Sequence, residues 1–117
     1  MWLFTKYGFF STTVSKQDNS KIQVRARARE DLENLRSFAL AKMHEKQFSI
    51  TELPEIIETP SADYRYRILM TRNNWENIAL ALAKDIDYSN FKNQIKDHFR
   101  HSLYEQIWGI MHQVQRR

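Results

Sequence analysis

The sequence contains no cysteine and only two glycines, and these two absences exclude several classes of function. Without cysteine the chain has no disulfides, zinc–thiolate sites, iron–sulfur clusters or cysteine nucleophiles. With Gly8 and Gly109 alone, it cannot form the glycine-rich loops that bring backbone close to phosphate in nucleotide-binding enzymes. The composition therefore argues against a nucleotide-hydrolysing enzyme or an oxidoreductase, and it predicts no cofactor.

Long apolar runs are also missing. The longest are only a few residues, such as 80–83, and none could cross a bilayer. The apolar start at Trp2 is too short for a signal-peptide core and is soon followed by Lys6. We therefore expect a cytoplasmic protein with no membrane contact, and its 117 residues fit a single domain over residues 1–117.

The most informative pattern that is present is an alternation of apolar and polar residues over 22–29. Three of its four polar positions are arginine. Because successive side chains of a β-strand point to opposite faces, this run predicts a half-buried strand with a basic outer face. The run 63–70 repeats the theme. If the two strands share a sheet, one basic patch would contain Arg25, Arg27, Arg65 and Arg67.

Charge is distributed unevenly along the chain. Residues 1–29 carry six Lys/Arg and one acidic residue, whereas residues 30–63 carry three Lys/Arg and eight acidic residues. Arginine forks suit phosphate or carboxylate, so a basic sheet face can bind a polyanion. The alternative is a solvated face whose arginines pair with Glu52, Glu55 or Glu58. On this pattern the tyrosines that alternate with Arg65 and Arg67 would lie in the core.

The order of predicted elements indicates an α+β fold. The strands are predicted over 2–14, 22–28, 48–58 and 63–70, and the helices over 30–45, from Asn73 onward, and over 90–115. Gly8 marks a bulge or a close backbone approach, and Asn73 with Glu76 fits a capping box. This strand-strand-helix repeat predicts a four-stranded antiparallel sheet with three helices on one face. A ferredoxin-like order would follow instead if residues 22–28 began the first helix.

The last predicted helix has an unusually wide apolar surface. The predicted helix has an apolar stripe that packing on one sheet could bury. This stripe is made wider than one sheet needs by Tyr104, Trp108 and Met111. Aromatic and methionine side chains are enriched in interface cores, which favours a homodimer. The candidate interface residues are Leu103, Tyr104, Ile107, Trp108 and Met111. The alternative is a monomer in which the second and third helices pack together.

Two further groups have the spacing of metal or catalytic sites. His98, His101 and Glu105 are three and four residues apart, as helical metal ligands can be, but an exposed polar face looks the same. Asp85 and Asp87 could share a metal ion or a proton, but such acids more often charge a helix start. We therefore predict no catalytic residue and no bound metal.

Several pieces of the chain are specific enough to compare with known sequences. They are MWLFTKYGFFS at 1–11, VRAR at 24–27, ADYRYR at 62–67, IDYSNFK at 86–92 and IWGIM at 107–111. Together they resemble a family of short bacterial proteins with no assigned activity. The resemblance implies a free-standing bacterial cytosolic protein, and it carries over no catalytic or binding residue.

The sequence thus favours a small basic binding or regulatory module over an enzyme. Its best-supported partner is a nucleic acid, bound through the predicted arginine patch. An acidic protein is the other partner that this patch would suit. The alternatives are a homodimeric interaction module built on the last helix and, with less support, a small metal-dependent hydrolase or nuclease using Asp85 and Asp87.

Overall fold

The aromatic N-terminal segment folds as a hairpin, so the single strand predicted over 2–14 is wrong. In the computed structural model, which describes residues 1–46, 49 and 53–116, β1 covers Trp2–Thr5 and β2 covers Gly8–Val14. The Thr5 hydroxyl accepts hydrogen bonds from the backbone N–H groups of Tyr7 and Gly8, each at 3.1 Å. These bonds satisfy the backbone of a two-residue turn that the aromatic, β-rich composition did not signal.

The fold is α+β, as predicted, and its sheet is antiparallel, but it has five strands and not four. The remaining strands are β3 (Lys21–Ala26), β4 (Ile57–Glu58) and β5 (Tyr66–Thr71), and the order is β1-β2-β3-β5-β4. Since β3 is a strand, the ferredoxin-like alternative is wrong. Of the strand predicted over 48–58, only β4 appears, and residues 48 and 50–52 lie outside the described residues.

Two helices cover one face of this sheet. They are α1 (Arg29–His44) and α2 (Arg72–Lys84), which match the predicted helices closely. The cap of α2 is Thr71 and not Asn73, because β5 runs directly into the helix and the Thr71 hydroxyl accepts from the Asn74 N–H at 3.1 Å. The core between sheet and helices consists of Phe10, Ile22, Val24, Ala26, Leu32, Leu35, Ala39, Ile68, Met70, Trp75 and Ile78.

Gly8 brings the start of β2 against α1, which confirms the predicted close backbone approach. The buried carboxylate of Asp31 accepts a hydrogen bond from the Phe9 N–H at 3.0 Å. A Cβ at Gly8 would lie 2.4 Å from the Asp31 Cγ, and Gly8 has a φ of 156°. Only glycine combines this backbone conformation with this contact.

The chain divides into two compact units, Met1–Ile86 and Asp87–Arg117. The second contains α3 (His98–Met111), which is shorter than the helix predicted over 90–115. Ile95 is extended, with φ −92° and ψ 105°, and Asp97 then caps α3 by accepting from the Arg100 N–H at 2.9 Å. Short segments of 3-10 helix precede and follow α3 at Lys92–Gln94 and His112–Arg116. Among the described residues, no helix has the length and apolar character needed to cross a membrane.

Candidate functional site

The sheet face opposite α1 and α2 carries Arg25 of β3 and Arg67 of β5. Trp2 pairs with Ser11, Ser11 with Arg25, Arg25 with Arg67, and Arg67 with Ile57. Directly paired residues point to the same side of a sheet, so one row of side chains crosses all five strands. We call the surface around this row, Trp2–Ser11–Arg25–Arg67–Ile57, the arginine face. Arg25 therefore projects away from the buried side chains of Ile22, Val24 and Ala26, as predicted.

Arg25 of β3 and Arg67 of β5 are directly opposite each other in the strand register. The Arg25 Nη2 donates to the Ser11 hydroxyl at 2.8 Å. The Arg67 Nη1 donates to the Gln23 side-chain oxygen at 3.0 Å, and its Nη2 donates to the Tyr64 carbonyl at 3.1 Å. Neither guanidinium makes an ion pair with a carboxylate of the described residues. Like charges at such a position destabilise a sheet, so this pair calls for a reason other than stability.

Both guanidinium groups are partly buried and incompletely bonded. The Nε atoms of Arg25 and Arg67 are inaccessible to solvent and have no hydrogen-bond partner within the described part of the chain. The surrounding partners are neutral: Gln23 donates in turn to the Thr13 hydroxyl at 2.9 Å. Neutral hydroxyl and amide groups orient the guanidiniums without cancelling their charge. The site therefore keeps a net positive charge next to low-dielectric protein, where electrostatic attraction is stronger than in bulk water.

Tyr66 is partly buried against the hydrophobic core, as predicted. Tyr64 is buried as well, but its ring packs on the sheet face that carries Arg25. Its ring lies 4.6 Å from the Arg25 Cζ and 4.4 Å from the Arg27 Cζ. The strict alternation begins only at Tyr66, where β5 starts, so it does not govern the residue two positions earlier. Arg27 donates to the Asp63 carbonyl at 2.9 Å, which holds this arginine beside the same ring. Tyr64 thus links Arg25 to Arg27 through cation–π contacts.

Among the described residues, Arg65 has a carboxylate partner, whereas Arg25, Arg27 and Arg67 have none. Its Nη2 lies 2.8 Å from the Glu58 Oε1, and its Nε donates to the same oxygen at 2.9 Å. The hydrogen bond to Glu58, followed by the negative charge of that group, raises the pKa of Arg65. Glu55 pairs with Arg36 of α1 at 3.5 Å and not with the sheet. Glu52, the third acid considered as a neutralising partner, lies outside the described residues.

An aromatic cluster adjoins the arginines and was not predicted as part of the site. Phe4 stacks on Phe9, with ring centroids 4.5 Å apart and an interplanar angle of 17°. Trp2 contacts Phe9 edge-on at 5.8 Å, and Phe9 lies 6.4 Å from Tyr64. The i, i+2 spacing of Trp2 and Phe4 was a signal that they share a face. It was missed because the hairpin turn that brings Phe9 opposite Phe4 was not recognised.

The two candidate carboxylates have different surroundings. Asp85 ends α2, where it accepts a hydrogen bond from the Tyr7 hydroxyl at 2.8 Å and pairs with Lys6 Nζ at 3.3 Å. It therefore ties the end of α2 to the turn between β1 and β2. Asp87 is exposed at the start of the second unit. Within the described residues no group of three or more His, Asp or Glu side chains could hold a metal ion, His98, His101 and Glu105 included.

A shallow depression of about 390 Å³ lies beside α1 and the β1–β2 turn. Within it, Asn34 donates to the Tyr7 carbonyl at 3.1 Å, and Lys42 pairs with Glu45 at 3.5 Å. The depression does not bring a nucleophile and a base together, so we assign it no chemistry. It is lined by Tyr7, Asn34, Ser37, Phe38, Ala41 and Lys42.

The residues predicted as a helix interface are mixed in exposure. Tyr104 is buried, stacking on Phe91 at 5.9 Å. Leu103, Trp108 and Met111 are exposed. The Trp108 ring lies under the Lys92 ammonium at 4.4 Å and stacks on His112 at 6.0 Å. Ile107 is partly buried.

Comparison with known proteins adds no identification. No family model, no curated protein and no solved structure matches this chain.

Proposed function

We propose that this protein binds nucleic acid through the arginine face. The observation that supports this most directly is the Arg25–Arg67 pair, two arginines directly opposite each other on β3 and β5 without a carboxylate partner in the described residues. A phosphate bound near both arginines would offset the repulsion between their positive charges. The proposal agrees with the cytoplasmic location that the cysteine-free sequence predicts.

The arrangement suits phosphate better than an isolated carboxylate. Arg25, Arg27 and Arg67 form a continuous basic strip around Tyr64, and a chain with regularly repeated charges can contact several of them at once. Each phosphate that a cation neutralises releases counterions condensed on the nucleic acid, and this release favours binding. A small acidic ligand has no condensed counterions to release. The proposed role is therefore binding to the phosphate backbone, with Arg65 outside the site because Glu58 already neutralises it.

The test is fluorescence anisotropy of a short labelled single-stranded oligonucleotide over a series of salt concentrations. We expect the logarithm of the affinity to fall linearly with the logarithm of salt, and Arg67→Ala to reduce that slope by about 0.7. We also expect Arg67→Ala to weaken binding about 10-fold, a loss of about 1.4 kcal/mol.

Arg65→Ala is the matched control. It also removes one positive charge, only two residues from Arg67, but the guanidinium it removes is already paired with Glu58. We expect it to change the affinity less than 2-fold. Equal losses for Arg65→Ala and Arg67→Ala, or no binding at low salt, would contradict the proposal. Displacement of the oligonucleotide by an equal charge concentration of poly-glutamate would favour an acidic protein as partner instead.

A second candidate function rests on α3, and it is self-association. Phe99, Leu103 and Ile110 share one side of this helix and are exposed, Phe99 to 71%. The neighbouring positions Ser102 and Gln106 are uncharged and hydrogen-bond each other at 3.5 Å. On the other flank, Arg100 lies three residues before Leu103. Two copies related by a two-fold axis can bury the same apolar stripe against each other. We therefore propose a second copy of this chain as its occupant.

This candidate predicts a dimer that a single charge disrupts. We expect the wild-type protein to have the mass of a dimer in light scattering and Leu103→Asp to have the mass of a monomer, because the dimer would bury an unpaired carboxylate. Leu80→Asp, at an exposed position of α2, is the matched control and should leave the mass unchanged. A wild-type monomer at high concentration would refute self-association.

A further inference from the structure

We infer that Trp2, Phe4 and Phe9 form a base-stacking platform, so that the nucleic-acid site takes single strands in preference to duplexes. This inference rests on the proposed function and deepens it, because it assigns the part of the ligand that the arginines do not bind. Trp2 is the first residue of the row that defines the arginine face, and the Phe9 ring lies 6.4 Å from the Tyr64 ring.

The cluster presents aromatic surface where a base could reach it. Trp2 is 67% exposed although it makes an edge-on contact with Phe9 at 5.8 Å. Phe4 and Phe9 are partly buried and stacked on each other, which holds the cluster in a defined geometry. Each nucleobase has a π-face, so stacking on such side chains contributes affinity with little dependence on base identity.

The spacing between platform and arginines suits a strand that crosses the sheet. Trp2, Ser11, Arg25 and Arg67 lie in one row on adjacent strands. With strands about 4.8 Å apart, the backbone of Trp2 lies about 10 Å from that of Arg25 and about 14 Å from that of Arg67. A flexible single strand can stack one base on the platform while its phosphates contact both arginines.

A duplex cannot use the same surface in this way. Its bases are paired and stacked inside the helix, so their faces are unavailable to Trp2 until the duplex opens. Only the phosphate contacts would remain. We therefore expect the preference for single strands over duplexes to depend on base stacking at the platform. The salt dependence of the affinity should depend on the arginines.

The test compares three labelled probes at one salt concentration: a single-stranded oligonucleotide, the duplex of the same sequence, and an abasic strand of the same length. We expect the single strand to bind about 10-fold more tightly than the other two. Trp2→Ala should weaken single-strand binding about 10-fold and leave abasic-strand binding unchanged, while Trp2→Tyr should restore most of the lost affinity. Leu80→Ala, at an exposed apolar position on α2, is the control and should change neither.

The outcomes separate this inference from the proposed function. Equal binding of all three probes, with Arg67→Ala weakening each, would overturn the platform and leave phosphate binding by the arginine face in place. Equal loss for the single and abasic strands in Trp2→Ala would also overturn it, because the indole would then act on the fold and not on the bases. If no probe binds, both the platform and the proposed function fail.

Discussion

Arg25→Glu is expected to weaken oligonucleotide binding about 100-fold, equivalent to about 2.8 kcal/mol, because it replaces one phosphate-binding cation by a repelling carboxylate. The same change is expected to raise the free energy of unfolding by about 0.5 kcal/mol. Position 25 lies directly opposite Arg67, and opposite charges at such a pair stabilise a sheet where like charges destabilise it. Arg25→Glu should therefore lower the affinity for the oligonucleotide while it raises the free energy of unfolding.

Anisotropy and urea unfolding on the same preparations measure these two effects. Arg29→Glu is the matched control: Arg29 is exposed and pairs with Glu33 on α1, so its reversal changes the net charge equally outside the arginine face. We expect that control to lose far less affinity and to gain no stability. If Arg25→Glu instead destabilises the protein and binds as well as wild type, Arg25 has a structural role only.

Gly8→Ala is expected to lower the free energy of unfolding by about 3 kcal/mol. The new methyl group would lie 2.4 Å from the Asp31 Cγ, at a φ of 156° that side chains rarely adopt. Relief requires the buried Asp31 side chain to move, which breaks the hydrogen bond that its carboxylate accepts from the Phe9 N–H. For a protein of this size the melting temperature should fall by about 10 °C.

Gly109 provides the matched control because the same substitution there meets no atom within 4 Å. It lies inside α3, where alanine is the better helix former, so Gly109→Ala should stabilise the helix by up to about 1 kcal/mol. Thermal and urea unfolding of both variants would show whether the free energy of unfolding falls for Gly8→Ala and rises for Gly109→Ala. Equal small effects at the two positions would contradict the close contact between Gly8 and Asp31.

The sequence predicted those parts of the fold that have a periodic pattern of apolar residues over a short stretch of chain. The helical period of α1 and the alternation in β3 are visible within a few residues, and both elements lie where they were predicted. The break before α3 has no such repeat: Ile95 continues the apolar pattern of the predicted helix, and only its extended backbone ends that pattern. Short turns, such as the one at Thr5, were missed because threonine and tyrosine also favour strands.

The candidate site shows the same division. The sequence alone determined which classes of chemistry are excluded and which side of β3 is basic, because these depend on composition and on the period of two residues along a strand. Only the tertiary structure decided that β3 lies beside β5, that Arg25 therefore faces Arg67, and that Glu58 pairs with Arg65. Strand order and register depend on contacts between residues far apart in the chain, where the packing of whole elements and not the local pattern determines which side chains meet.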